Sequence, residues 1–261
     1  MALWIFSIIV LRLSMELIIC LVSGDFSEKN KTIIGLVLYI LGFCKKRIRI
    51  VFPVFLTLIT AFLVFFLRVL PSRGLQFNEI NNSINYLSMS KELFYMQSSA
   101  NCAPYSVMAV VNVLKGIKVD PEKLARETRW RINKNMTFPQ GLIDLLRTNK
   151  INTREYSLKT YTNKEKIIWL KNQIDSGNPV ILLVKVKTIQ HYLTIIGYDK
   201  HGFMMYDSSQ KQRDENTGLT VVDKEGYAGN RYYTNLEVIQ FWNNGGYTLF
   251  FKNWAVVCYA G

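Results

Sequence analysis

At 261 residues, 49% of them hydrophobic and with a mean hydropathy of +0.10, the chain exceeds one average domain and is too apolar to be a purely soluble one. The formal net charge of +13 would suit nucleic acid, but the lysines and arginines are spread along the chain and no nucleic-acid motif accompanies them, so the excess reads as surface charge. The four cysteines form neither a disulfide framework nor a metal-ligand spacing, and no glycine motif would cradle a phosphate, so no metal or cofactor is expected.

The apolar excess lies at the front. Residues 2–23 are long enough to span a bilayer, although Arg12 and Glu16 interrupt them. Those two are four apart and share a helix face, where they can neutralise each other. A signal peptide fits poorly, since there is no basic n-region and no small-residue cleavage site. Residues 32–44 are short and span only if Lys31 and Lys45 snorkel to the interfaces. Residues 51–70, opening VFPVFLTLITAFLVFFL, are the strongest span, with Pro53 in the first turn, where proline is tolerated. Lys45, Lys46, Arg47 and Arg49 stand directly before it and argue that its N-terminal end is cytoplasmic. Residues 1–70 are therefore expected to be a multi-pass membrane region in a bacterial cytoplasmic (inner) membrane, with the rest of the chain on the extracytoplasmic side. Residues 71–95 read as a polar, asparagine-rich linker.

Residues 96–261 read as one α+β domain, helices first and sheet last. The stretch QSSANCAPYSVMAVVNVL, from Gln97 to Leu114, sets a lone cysteine at the start of an apolar helix. Pro104 stands near the first helical position, and Val107, Val110, Val111 and Leu114 follow at helical spacing. Cys102 thus sits at the end of a helix that favours negative charge. Asp120-Pro121 is expected to cap a helix running through Trp130, and Pro139 to start another through Thr148. A strand is expected over 151–158, an amphipathic helix over 163–175, and a buried strand at PVILLVKV. HYLTIIGYD and FMMYD, joined by the turn Asp199-Lys200-His201-Gly202, predict a hairpin. Residues 208–233 read as a long polar insertion beside the hairpin. The helix TNLEVIQFW and closing strands at GYTLFFK and WAVVCY complete the domain.

Two histidines, His191 and His201, exist in the chain. His191 opens one strand of the hairpin and Asp207 ends the other, which should put them side by side at one edge of a sheet. His201 lies in the turn. A Cys-His-Asp triad needs that adjacency: the carboxylate holds the imidazole in one tautomer, and the imidazole takes the thiol proton. An upstream amide such as Gln97 could then donate to the developing oxyanion.

On QSSANC-A-P, HYLTIIGYD and YDSS, the chain from about Ser88 to Tyr259 resembles the C39 and C39-like cysteine peptidases, a papain-like branch that includes the double-glycine leader peptidases of bacteriocin exporters. The resemblance implies a papain-like α+β cysteine peptidase domain, here preceded by the N-terminal transmembrane helices expected from the apolar segments. It implies Cys102 as nucleophile, His191 as base, Asp207 as its orienter and Gln97 as oxyanion donor. The expected partners are a peptide or protein substrate, the lipid bilayer, and a membrane secretion or assembly complex. Three positions depart from the pattern: Ala103 stands where glycine is usual, Ser208 where proline is usual, and the glutamine-to-cysteine spacing is one residue short. The competing reading is a catalytically inactive module that binds a peptide or partner in the same cleft and tethers it to a membrane complex.

Overall fold

The computed structural model describes residues 54–62, 71–80, 83–131, 136–210, 219–247 and 250–261. The chain divides into two compact units, Met1–Val69 with Tyr247–Phe250, and Leu70–Gly246 with Phe251–Gly261. In the first unit residues 54–62 are helical. The expected spans at 2–23 and 32–44 lie outside the described residues, as does most of 51–70. Among the described residues no helix is long and apolar enough to cross a membrane.

The second unit is built on a seven-stranded antiparallel sheet. Its strands are β1 (Ile84–Tyr86), β2 (Asn152–Ser157), β3 (Val180–Val186), β4 (Ile189–Asp199), β5 (Gly202–Tyr206), β6 (Arg231–Thr234) and β7 (Trp254–Tyr259). They run in the order β2-β7-β3-β4-β5-β6, with β1 added to β4. Among the described residues of this unit five α-helices accompany them: α1 (Cys102–Lys115), α2 (Pro121–Glu127), α3 (Pro139–Thr148), α4 (Asn163–Asp175) and α5 (Asn235–Asn244).

The local chemistry accounts for these elements. α1 ends because Gly116 takes φ +68, a left-handed cap whose N–H returns to Asn112 O. α4 and α5 each begin with a capping box, Thr162 with Glu165 and Thr234 with Glu237. From α4 and α5, Trp169, Leu170, Ile174 and Trp242 join Val180, Leu182, Val184, Leu193 and Ile195 of the sheet in one core. Full burial of each such side chain is worth about 1.5–3 kcal/mol. α1 packs on β4, with α2 and α3 against α1.

Four sequence expectations change. The stretch 71–95 is no free linker: β1 pairs with β4, Asn78 N donates to Asn172 Oδ1 at 3.0 Å, Asn85 Nδ2 donates to Asp175 Oδ1 at 2.8 Å, and Met89, Leu93 and Phe94 are buried. Gly197 permits the pairing, since a Cβ there would lie 2.7 Å from Tyr86 Cβ. The helix expected to run to Trp130 stops at Glu127; Trp130 takes φ +56, and Arg131 bridges to Thr137. The strand expected over 246–252 is absent from its described residues, where Gly246 and Phe251 both take positive φ. The insertion 208–233 is also no mere surface loop, since Asn230 and Thr220 are buried and its end supplies β6.

Candidate active site

Cys102 is the first residue of α1 and is buried. Asn101 occupies the N-cap but makes no capping bond, and the first turn holds no acidic residue. Its amide instead donates to Ser98 Oγ at 2.9 Å and accepts from Arg131 Nη2 at 2.7 Å. Ser98 in turn donates to Glu122 Oε1 at 2.6 Å, as Tyr105 does at 2.7 Å. With no side-chain cap, the positive end of α1 is left open beside the sulfur.

His191 lies on β4, opposite Val184 of β3. Its Nε2 stands 2.8 Å from Asp207 Oδ1, with side-chain exposures of only 6% and 4%. Cys102 is near enough to the imidazole to be among the groups that raise its pKa. With Nε2 turned to Asp207, Nδ1 is the nitrogen left for the sulfur. The strand ends expected to meet do meet, but not at a lateral edge: β4 lies inside the sheet, between β3 and β5, so the pair is buried. Burial disfavours both charges, yet the adjacent carboxylate lifts His191 from 6.5 to about 10. Burial likewise works against the Asp207 anion, but the imidazolium and the bonds from Ser209 hold it well below its ordinary 3.8.

The Asp207 carboxylate is held from several sides. Ser209 donates both its N–H, at 2.8 Å, and its hydroxyl, at 2.7 Å, to Oδ1. Tyr233 donates its phenol to Oδ2 at 3.0 Å. Asn230 fixes the backbone there, accepting from Asp207 N at 2.8 Å and donating to Asp207 O at 2.9 Å. Sequence reasoning named none of these three. Ser209 could have been found, because a serine two residues after an aspartate commonly closes a local turn. Asn230 and Tyr233 carry no such signal, standing far along the chain in a polar stretch.

Gln97 reaches the same corner by another route. Its N–H donates to Ser208 O at 2.8 Å, the Ser208 hydroxyl donates to its Oε1 at 2.6 Å, and its Nε2 donates to Ser99 O at 2.9 Å. Ser99 takes φ +48, an uncommon conformation costing on the order of 1 kcal/mol. His201 is exposed in the turn, where its N–H donates to Asp199 Oδ1 at 2.8 Å, and it stays outside the site.

Among the solved structures similar to this chain are those of three peptidase-family proteins. The peptidase domain of Streptococcus ComA, a bifunctional ABC transporter of a quorum-sensing pathway, is 14% identical with a TM-score of 0.39, over 68% of this chain and 99% of its own. A C39-like protein from Bacillus anthracis is 14% identical with a TM-score of 0.43, over 68% and 98%. A double-glycine-motif protease of an AMS/PCAT transporter, solved with its leader peptide, is 12% identical with a TM-score of 0.43, over 71% and 100%. No curated protein matches the sequence. The model of the Peptidase_C39 like family matches residues 84–237, a span that holds Gln97, Cys102, His191 and Asp207, and the chain belongs to that family.

Proposed function

We propose that this chain is a cysteine peptidase that cleaves a peptide or protein through Cys102, His191 and Asp207. The observation that carries the reading is a buried imidazole bonded through Nε2 to Asp207, with Cys102 among the groups that raise its pKa. Nδ1 takes the thiol proton, and the sulfur attacks the scissile carbonyl to form a tetrahedral intermediate. The imidazolium then protonates the leaving amine, and a thioester remains on Cys102. Water, deprotonated by the same ring, attacks the thioester, releases the acid and restores the thiol. Asp207 keeps Nε2 protonated and favours the imidazolium that forms when Nδ1 takes the thiol proton. Gln97 and the open end of α1 supply donors for the oxyanion.

The substrate class to test first is a polypeptide with a double-glycine leader, as the family resemblance implies. The apolar segments before residue 70, with basic residues ahead of the last one, support anchoring in a bacterial inner membrane with the peptidase domain on the extracytoplasmic side. The deciding experiment incubates the full chain in detergent with precursor peptides carrying and lacking a Gly-Gly leader end. Cleavage that disappears in Cys102→Ala is the expected result. No cleavage, together with alkylation of Cys102 no faster than that of free cysteine, would overturn the reading.

A further inference from the structure

We infer that Ser208 is a positioning residue for Gln97, coupling the strand end that carries the orienting carboxylate to the loop that carries the oxyanion donor. The inference rests on the peptidase reading and assigns a role to one of the chain's departures from the family pattern.

The argument begins with the amide. The oxygen and nitrogen of a glutamine side chain are nearly interchangeable in shape, so its partners decide which end points where. Ser99 O can only accept, so the group 2.9 Å from it must be Nε2 of Gln97. Oε1 therefore faces Ser208, whose hydroxyl is left to donate at 2.6 Å. The two residues are joined a second time by their backbones, Gln97 N donating to Ser208 O at 2.8 Å. Ser208 is 1% exposed, so its hydroxyl is largely shielded from water, while Gln97 is half-buried. A proline at that position would have no hydroxyl to give.

Two consequences follow for the chemistry. Nε2 carries two hydrogens, of which Ser99 O takes one, leaving the other for an oxyanion. A hydrogen bond accepted at Oε1 polarises the amide and makes Nε2 a better donor. The run Asp207-Ser208-Ser209 thus serves both halves of the reaction: Ser209 and Asp207 set the base, and Ser208 sets the donor.

The test is a double-mutant cycle on peptide turnover by the full chain. Ser208→Ala should lower kcat about tenfold with KM unchanged, since the Gln97 bond is realised in the transition state. In a Gln97→Ala background the same substitution should change kcat less than about twofold. The pH–rate profile should keep its limbs, and alkylation of Cys102 by iodoacetamide, a displacement that forms no oxyanion, should keep its rate. If Ser208→Ala does not fold, Ser208→Thr and Ser208→Val form a pair of matched shape with and without a hydroxyl, and only the first should retain kcat. Full kcat in Ser208→Ala, equal losses in both backgrounds, or a shifted pH limb would each overturn the inference. Full activity in Cys102→Ala would instead overturn the peptidase reading itself.

Discussion

The Tyr233 phenol donates to Asp207 Oδ2 at 3.0 Å while Arg231 Nε donates to the phenol oxygen at 3.2 Å. Tyr233→Phe would strip Oδ2 of that donor inside the protein. Hydrogen bonds to charged groups are worth about 1.5–3 kcal/mol, and Ser209 still serves Oδ1, so a loss near the low end is expected. The thermal midpoint should fall by several degrees and turnover by up to about tenfold. An unchanged midpoint would show that the bond contributes nothing.

The proposed chemistry ranks the remaining residues. Cys102→Ala should abolish turnover, and His191→Ala should be nearly as severe. Asp207→Asn keeps the shape but loses the charge, so a partial loss is expected; Gln97→Ala should cost about 10²–10³-fold. His201→Ala should be silent, because its side chain stands exposed in the hairpin turn. Peptide turnover across the five variants decides the ranking, and equal losses at His191 and His201 would refute it.

The His191–Asp207 pair makes stability depend on pH in two opposite senses. Asp207 is held below 3.8, so its contribution is present above that value and fades as pH falls through the folded pKa. His191 is raised from 6.5 to about 10, so its contribution is complete below 6.5 and fades as pH rises toward 10. The pair therefore stabilises the fold most between about pH 4 and 6.5. Asp207→Asn should lower the thermal midpoint most within that window, and the gap from the unaltered chain should narrow toward pH 9. A gap that widened with pH would contradict the assignment.

On sequence Asp199 reads as a turn residue, but its carboxylate accepts from Tyr227 and Tyr232, each at 2.7 Å, and from His201 N and Gly202 N, each at 2.8 Å. Asp199→Asn should cost stability, about 1–2 kcal/mol, without changing the pH dependence of turnover. Calorimetry beside an activity assay separates the two effects.

A reporter fused after Gly261 should be active outside the cytoplasm. Replacing Lys45, Lys46, Arg47 and Arg49 with neutral residues should scramble that orientation. A cytoplasmic reporter in the unaltered chain would refute the topology and leave the peptidase reading standing.

Much of the fold was legible because its signals are local. The apolar spacing after Cys102, the proline helix starts at 121 and 139, and the hairpin at Asp199–Gly202 each form where the pattern predicts. The hairpin also brought His191 to Asp207, since two strands joined by a tight turn must place their far ends together. The rest depended on contacts distant in sequence. Nothing in the polar run 71–95 says that it pairs with β4, because three residues of strand carry almost no periodicity and the glycine that admits them, Gly197, lies over a hundred residues on. Tyr233 and Asn230 were hidden for the same reason.

Cys102 is made well before His191, and Asp207 receives its last donor only when Tyr233 has joined the sheet. A chain still being synthesised therefore carries a thiol with no base, and later a base whose carboxylate is not yet held. On the proposed peptidase reading that ordering is a safety catch: hydrolytic power would arrive only once β6 has joined the sheet.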